Sequence, residues 1–518
     1  MKGIKALFLL AVFPVSCTQY NSITKEELAD KIKGGWAGKM IGVSYGIQIE
    51  FNACGKTFEG PLSWAPDKVE YALRDDDLYG QLHIMSSMEK HQGLKTPVTQ
   101  LGFDFAHAGF TLCHANMQGR KNILDGIMPP LSGHAKYNMH ANDIDFQIES
   151  DFIGIINPGM PHSAALMADS VGRIMCYGDG LYGGMFVSAM HALAYFEKDA
   201  KVIVEKALKC IPAESLYANA IQTVIDGYKS NPKEWRKTWA IVQEKFGEID
   251  ICVPFNAFNI DAAINGAFVV MGLMFGENDM GKTIEIAARC GQDSDCNAAN
   301  AGAVIGIMMG YNAIEDIYKS HIPKIEDKLF VFTDYSFKKA ALQSLIFAEE
   351  NILANGGRIR GNVFKIKNQK PQFTGILEQS FPGMIPGYMV LMTDNEQYTI
   401  AGNWEDYRGS FKASTQPGDI FEIKFKGSGI TIKGRYGIDG GNAMAYIDGQ
   451  PLREFNCYSY GKGDCGNWVT NLQHLIHAMN LEEGEHTLKI EVLDKKHPES
   501  TGHKIYIERA IIYKKHKP

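Results

Sequence analysis

Gly291-Gln292-Asp293-Ser294-Asp295-Cys296-Asn297-Ala298-Ala299-Asn300-Ala301-Gly302-Ala303-Val304-Ile305-Gly306 joins two carboxylates to a run of small and apolar residues. The run reads as a helix whose side chains are too small to keep a neighbouring backbone away. A second cluster, Asp75-Asp76-Asp77, opens another helical stretch from Leu78 to Met85. Aspartate at a helix start is favoured by the free N–H groups and the macrodipole with no metal present. Two clusters together are a different matter. Carboxylates a few ångströms apart raise one another's pKa and repel, so they call for a cation, usually a hard metal, or for protonation.

The same stretch resembles the G-G-D-T-D-T-N-A-A-x-A-G-A-x-x-G signature of the ADP-ribosylglycohydrolase family. Asp75-Asp76-Asp77-Leu78 falls where that family has T-D-D-T, and Gly38-Lys39-Met40-Ile41-Gly42-Val43-Ser44-Tyr45-Gly46-Ile47-Gln48-Ile49-Glu50 looks like G-x-x-x-G-D-x-x-G-x-x-x-E. The three matches keep the family's order and cover about residues 25 to 355. The resemblance implies an all-α orthogonal helical bundle and a hydrolase of N- or O-glycosidic bonds. It implies two Mg2+ (or Mn2+) ions held by Asp75, Asp76, Asp77, Asp293, Asp295 and Cys296. It also implies Glu50 as the group that takes a proton from the attacking water, with Asp76 as the alternative. Without the resemblance, Glu50 reads as a surface residue. Four positions depart from the pattern: Asp75 and Leu78 replace Thr, Val43 replaces Asp, and Cys296 replaces Thr or Ser. Cysteine is a poor ligand for magnesium.

Weaker candidates for substrate binding are Asp151, near the place of the family's N-G-x-x-M-R segment, and Asp179-Gly180, near its T-H-x-D region. An Asp-Gly turn explains the latter pair equally well. His134 and His140 read as loop histidines that could line a pocket mouth. Trp404, Tyr458 and Tyr460 could stack on sugar rings or simply pack.

The chain has 518 residues, 45% hydrophobic and 21% charged, with a net charge of −7. That length favours two domains, and the charge offers no nucleic-acid footprint. Lys2 and Lys5 precede an apolar stretch, Ala6 to Val15, too short to span a bilayer, and then Ser16-Cys17. Residues 1–17 therefore read as a signal peptide with a lipobox, lipidated at Cys17 and placing the protein in a bacterial envelope, or, since Pro14 departs from the aliphatic residue usual three places before the cysteine, as a signal for plain secretion. A lipid anchor is the only membrane contact expected. Among the other cysteines, Cys113, Cys176, Cys210, Cys252 and Cys290 lie in apolar helical contexts and read as free thiols, whereas Cys457 and Cys465 flank a Gly-rich loop and read as a disulfide.

From residue 24 to 365 the periodicity is helical, with helices expected near 160–173, 182–197, 214–229, 232–246, 260–275, 281–290, 297–310 and 336–353. A Pro/Gly-rich linker is expected at 366–387. From 388 to 518 the period becomes two, as in Phe421, Ile423 and Phe425, which predicts a jelly-roll β-sandwich similar to galactose-binding-like modules. The leading expectation is an exported, metal-dependent glycosidic-bond hydrolase acting on a ribosyl or other furanoside-like substrate. The alternative is a sugar-binding lipoprotein with impaired catalysis.

Overall fold

The computed structural model describes residues 19–394, 396–461 and 473–516, so Cys17 and Cys465 lie outside the described residues. After the strand Tyr20–Thr24, the elements up to the helix Phe337–Ala354 are helices, and those after it form antiparallel β-sheets that are not closed into a barrel. Helices Pro161–Gly172, Asp179–Ala194, Leu216–Ser230, Trp235–Phe246, Ala262–Phe275, Met280–Arg289, Ser294–Met309 and Phe337–Ala354 lie close to the expected ranges.

Two helices form the spine. Lys25–Gly46 is capped by Thr24, whose hydroxyl accepts from Glu27 N at 3.1 Å. It runs antiparallel to Ser294–Met309 with backbone against backbone. A Cβ on Gly38 would lie 2.1 Å from Gly302 O, and one on Gly42 would lie 2.2 Å from Ala298 O. The four-residue spacing of Gly34, Gly38, Gly42 and Gly46 keeps them on one helix face, opposite Gly306, Gly302, Ala298 and Ser294. This contact brings the end of one helix, just before Glu50, onto the start of the other at Asp293 and Asp295. Ser294 ties the junction by donating to Gly46 O at 3.0 Å.

In the β-region one sheet has the strand order Gln450–Asn456, Gly441–Ile447, Gly484–Lys496, Ile420–Gly427, Tyr398–Ala401. The other has the order Gln473–Ala478, Gly429–Arg435, Tyr506–Lys515, Phe411–Ser414, Trp404–Tyr407, with Met384–Leu391 also paired to Tyr506–Lys515. Phe421, Ile423, Phe425, Ile430, Ile432 and Ile490 fill the core that these sheets share. Strand Val363–Lys367 pairs with Tyr20–Thr24 and closes the helical part, while Met384 already belongs to the sheet region.

The two regions are joined through polar contacts and a small shared core. Tyr513 donates to Ile251 O at 2.8 Å, His477 Nε2 lies 2.7 Å from Ala135 O, and His474 Nε2 lies 3.1 Å from Cys252 O. Met139, Ile251, Met384, Ile511 and Tyr513 pack between them. Helix His114–Leu124, absent from the sequence expectations, lies near this seam. Its residues Asn116, Gln118, Arg120 and Asn122 are all buried, which erases the amphipathic pattern that would have announced it.

The cysteine expectation needs correction. Cys457 is a buried free thiol and Cys113 is disulfide-bonded. Cys176, Cys210, Cys252 and Cys290 are buried free thiols.

Candidate active site

Asp75 caps the helix Asp76–Lys90, accepting from Asp77 N at 3.0 Å. Its cluster therefore sits at a positive helix end, and Asp295 lies in the first turn of the facing helix. A left-handed turn sets up that second helix, with Gly291 at φ 87° and Gln292 at φ 56°. A Cβ on Gly291 would lie 2.1 Å from Ala53 O, so glycine is needed there for space as well as for conformation. Gln292 is held in its conformation by accepting from Asn259 N at 2.9 Å and donating to Ala257 O at 3.0 Å.

The expected acidic residues converge. Ligand-type atoms of Glu50, Asp293 and Asp295 lie within 4.8 Å of one another, as do those of Asp75, Asp76 and Asp77, and those of Asp77, Asp295 and Cys296. Glu50, Asp76, Asp293 and Cys296 line a cavity of about 530 Å³. Apolar walls come from Phe51, Met117, Ile144, Ile148, Phe258 and Ile260.

Burial, reinforced by the neighbouring carboxylates Asp293, Asp76 and Asp77, pushes Glu50 up to about 8. Burial, then Asp77 and Asp293, pushes Asp76 up to about 7. Burial drives Asp75 and Asp295 well above the usual carboxylate range. Asp293 Oδ1 and Asp295 Oδ1 are buried with no hydrogen-bond partner among the described residues. Buried orphan carboxylate oxygens are costly unless a proton or a cation satisfies them. The donor set Glu50, Asp293 and Asp295, all oxygens, with Glu50 and Asp293 facing the cavity, fits a hard divalent cation.

One cation is already present. Lys39, wholly buried, pairs with Asp77 Oδ1, lies 3.0 Å from Asp151 Oδ2 and donates to Ile148 O at 2.9 Å. Burial alone would lower its pKa, but Asp151 and Asp77 outweigh that and hold it raised. Cys296 donates its thiol to the other oxygen of Asp77 at 2.9 Å. Its side chain also touches an apolar group made by Ile144, Ile148 and Ile260.

The proposed substrate residues fall elsewhere. Asp151 is fully buried behind the site, among Lys39, His191 (3.1 Å) and Asn300 (3.1 Å). Burial works against its charge, yet Lys39 and His191 hold it down at about 2. Asp179 accepts from Tyr217 N at 2.9 Å, joining two helices, and a Cβ on Gly180 would lie 2.4 Å from Ala141 O. None of these three lines the cavity.

Several site groups escaped the sequence reading. His114 lines the cavity beside His140, the loop histidine expected at a pocket mouth, and Asp143 Oδ2 lies 2.6 Å from His140 Nδ1. Burial holds both imidazoles down at about 3. The β-region supplies Lys433 and Gln473 to the same cavity. Burial lowers Lys433 to about 8. The signal for Lys39 was visible: one lysine inside the apolar run Trp36 to Gly46. His114, Lys433 and Gln473 had no comparable signal, because their role depends on which surfaces meet. Tyr460 donates to Asp125 at 2.7 Å and Tyr458 stacks on His497 at 4.2 Å, while Trp404 packs against Phe421.

The model of the family described as ADP-ribosylglycohydrolase matches residues 24–344. A curated relative, "A type blood alpha-D-galactosamine galactosaminidase" from Flavonifractor plautii, is 28% identical over 102 residues, which is 18% of this chain and 9% of that protein. Among solved structures, an "ADP-ribosylglycohydrolase-related protein complex" superposes with a TM-score of 0.39 at 14% identity, covering 63% of this chain and 99% of that one. A family two carbohydrate esterase from Cellvibrio japonicus superposes with a TM-score of 0.20 at 11% identity, covering 25% of this chain and 34% of that one.

Proposed function

Since the chain belongs to the ADP-ribosylglycohydrolase family, we propose that it hydrolyses the glycosidic bond of a ribosyl or other furanoside-like substrate in the cavity between Glu50 and Lys433. The observation that carries this reading is the set Glu50, Asp293 and Asp295, whose ligand-type atoms lie within 4.8 Å of one another, with buried orphan oxygens on Asp293 and Asp295. These residues would hold a magnesium or manganese ion, which when bound supplies positive charge to hold sugar hydroxyls and to acidify a water.

The chain's own groups do the rest. Glu50 lies on the cavity wall and moves the proton between the attacking water and the protein. Asp76, also on the wall, stabilises the positive charge that grows on the sugar ring as the bond breaks. Phe51, Phe258 and Met117 exclude bulk water and offer faces to a sugar ring. His140, oriented by Asp143, and Lys433 line the same cavity and offer polar contacts to the substrate. An exported setting, read from residues 1–17, favours a glycan or nucleoside-like furanoside over protein-linked ADP-ribose.

Turnover of a panel of aryl furanosides, aryl pyranosides and ADP-ribosyl compounds by the full chain with added magnesium or manganese tests the reading. Release of the aglycone from at least one furanoside, lost in Asp293→Ala, is expected. A fully loaded protein that cleaves none of them, yet binds free sugars, is the result expected of a sugar-binding protein instead.

A further inference from the structure

Lys39 is a buried ammonium in a cluster where the resemblance calls for two metal ions. Three observations bear on what it does there. Both oxygens of Asp77 are engaged, Oδ1 by Lys39 and Oδ2 by the Cys296 thiol at 2.9 Å. The same ammonium neutralises Asp151 at 3.0 Å, and Asp151 is further held by Asn300 through both its oxygens at 3.1 Å. By contrast, among the described residues the Oδ1 atoms of Asp293 and Asp295 have no hydrogen-bond partner, and neither residue has an ion pair. Asp77 and Asp151 thus share a counter-charge from within, whereas Asp293 and Asp295 have none among the described residues.

The helix contact makes this arrangement possible. Gly38 and Gly42 bring the helix Lys25–Gly46 against Ser294–Met309 so closely that no Cβ fits between them. Lys39 lies next to Gly38, and its long side chain can cross to Asp77 and Asp151 while its stem stays in the core. Val43 lies four residues on, on the same side of the helix as Lys39, and is fully buried and apolar. It stands where the resembled pattern has an aspartate, so this face carries Lys39 and, one turn away, an apolar residue in place of a carboxylate.

We propose that the Lys39 ammonium takes the place of one of the two metal ions, leaving a mononuclear site formed by Glu50, Asp293 and Asp295. The proposal rests on the reading of those three residues as a cation site. A second divalent ion at Asp77 would have to sit against a fixed positive charge and displace the Cys296 thiol. In a mononuclear site the one ion held by Glu50, Asp293 and Asp295 would supply positive charge for both sugar hydroxyls and water, and Lys39 would hold Asp77 in its charged form.

The test is the metal stoichiometry of the full chain, stripped with chelator and equilibrated with Mn2+, read by elemental analysis and electron paramagnetic resonance. One ion per chain with an uncoupled manganese spectrum is expected. Two ions per chain with exchange coupling would overturn the proposal, and no bound ion would overturn the cation reading beneath it. In Lys39→Met, Asp77 and Asp151 lose their counter-charge, so the count should rise to two and the melting temperature should become strongly Mn2+-dependent. A folded Lys39→Met protein that still binds one ion, with no Mn2+-dependent stabilisation beyond wild type, would contradict the substitution. If Lys39→Met folds only when Mn2+ is present, that supports it.

Discussion

Asp293 and Cys296 sit in the same turn and interact with each other, but their remaining neighbours differ. Asp293 faces the cavity with an unpartnered oxygen. Asp293→Ala should abolish divalent-ion binding in calorimetry and lower turnover by about 100-fold or more, since it removes both a ligand and a charge facing the reacting bond. Unchanged ion binding in that variant would remove Asp293 from the site. Cys296 instead donates to Asp77 and packs on Ile144, Ile148 and Ile260. Cys296→Ser keeps the donor but sets a hydroxyl against apolar neighbours, so stability should fall by about 1–2 kcal/mol with ion affinity nearly constant. Tenfold tighter magnesium binding in a metal titration would show that Cys296 is a ligand after all. The acidic residues were legible because clustered charge is a problem visible in one dimension. Lys39 was equally legible in principle, as a charge in an apolar run, but its partners Asp77 and Asp151 lie far away in sequence. Asp151 and Asp179 were found as conspicuous carboxylates, and only the fold shows that both are engaged away from the cavity.

The helix pair Lys25–Gly46 and Ser294–Met309 is the element on which the site depends. A methyl group on Gly42 would lie 2.2 Å from Ala298 O, so one of the two backbones would have to shift. Gly42→Ala should therefore cost about 1–3 kcal/mol or more by overpacking, measured by denaturant unfolding. Because Glu50 follows one helix and Asp293 precedes the other, ion affinity should fall with stability. A Gly42→Ala protein with wild-type stability would mean that the contact is looser than described. Most helices could be placed from apolar spacing alone. Helix His114–Leu124 could not, because its polar residues Asn116, Gln118, Arg120 and Asn122 are covered on several sides. Strand alternation made the β-region readable, with Phe421, Ile423 and Phe425 pointing inward.

At the scale of the whole molecule, the β-region is part of the site wall, through Lys433 and Gln473. Sequence period located that region but carried no information on the surface it meets. Lys433→Ala should raise KM for the furanoside substrate while leaving ion stoichiometry unchanged; an unaltered KM would place the substrate away from this wall. The seam between the regions should also be sensitive to acid. His477 is buried against Ala135 O, and burial lowers its folded pKa to about 3, against about 6.5 when unfolded. The unfolded chain therefore binds the extra proton between those values, so the stability that His477 contributes is complete above about pH 6.5 and is lost as pH falls toward 3, by up to about 1.4 kcal/mol per pH unit. His477→Gln should flatten the fall of melting temperature between pH 6.5 and pH 4, and an equally steep fall would assign the acid sensitivity elsewhere. The central claim, a cation-assisted glycosidic-bond hydrolase built on the two Asp clusters, is tested most directly by adding Mn2+ back to the chelator-stripped full chain while following aglycone release from aryl furanosides. The account predicts no release without the ion, recovery that saturates as the ion binds, and no recovery in Asp293→Ala; undiminished release from the stripped protein would contradict it.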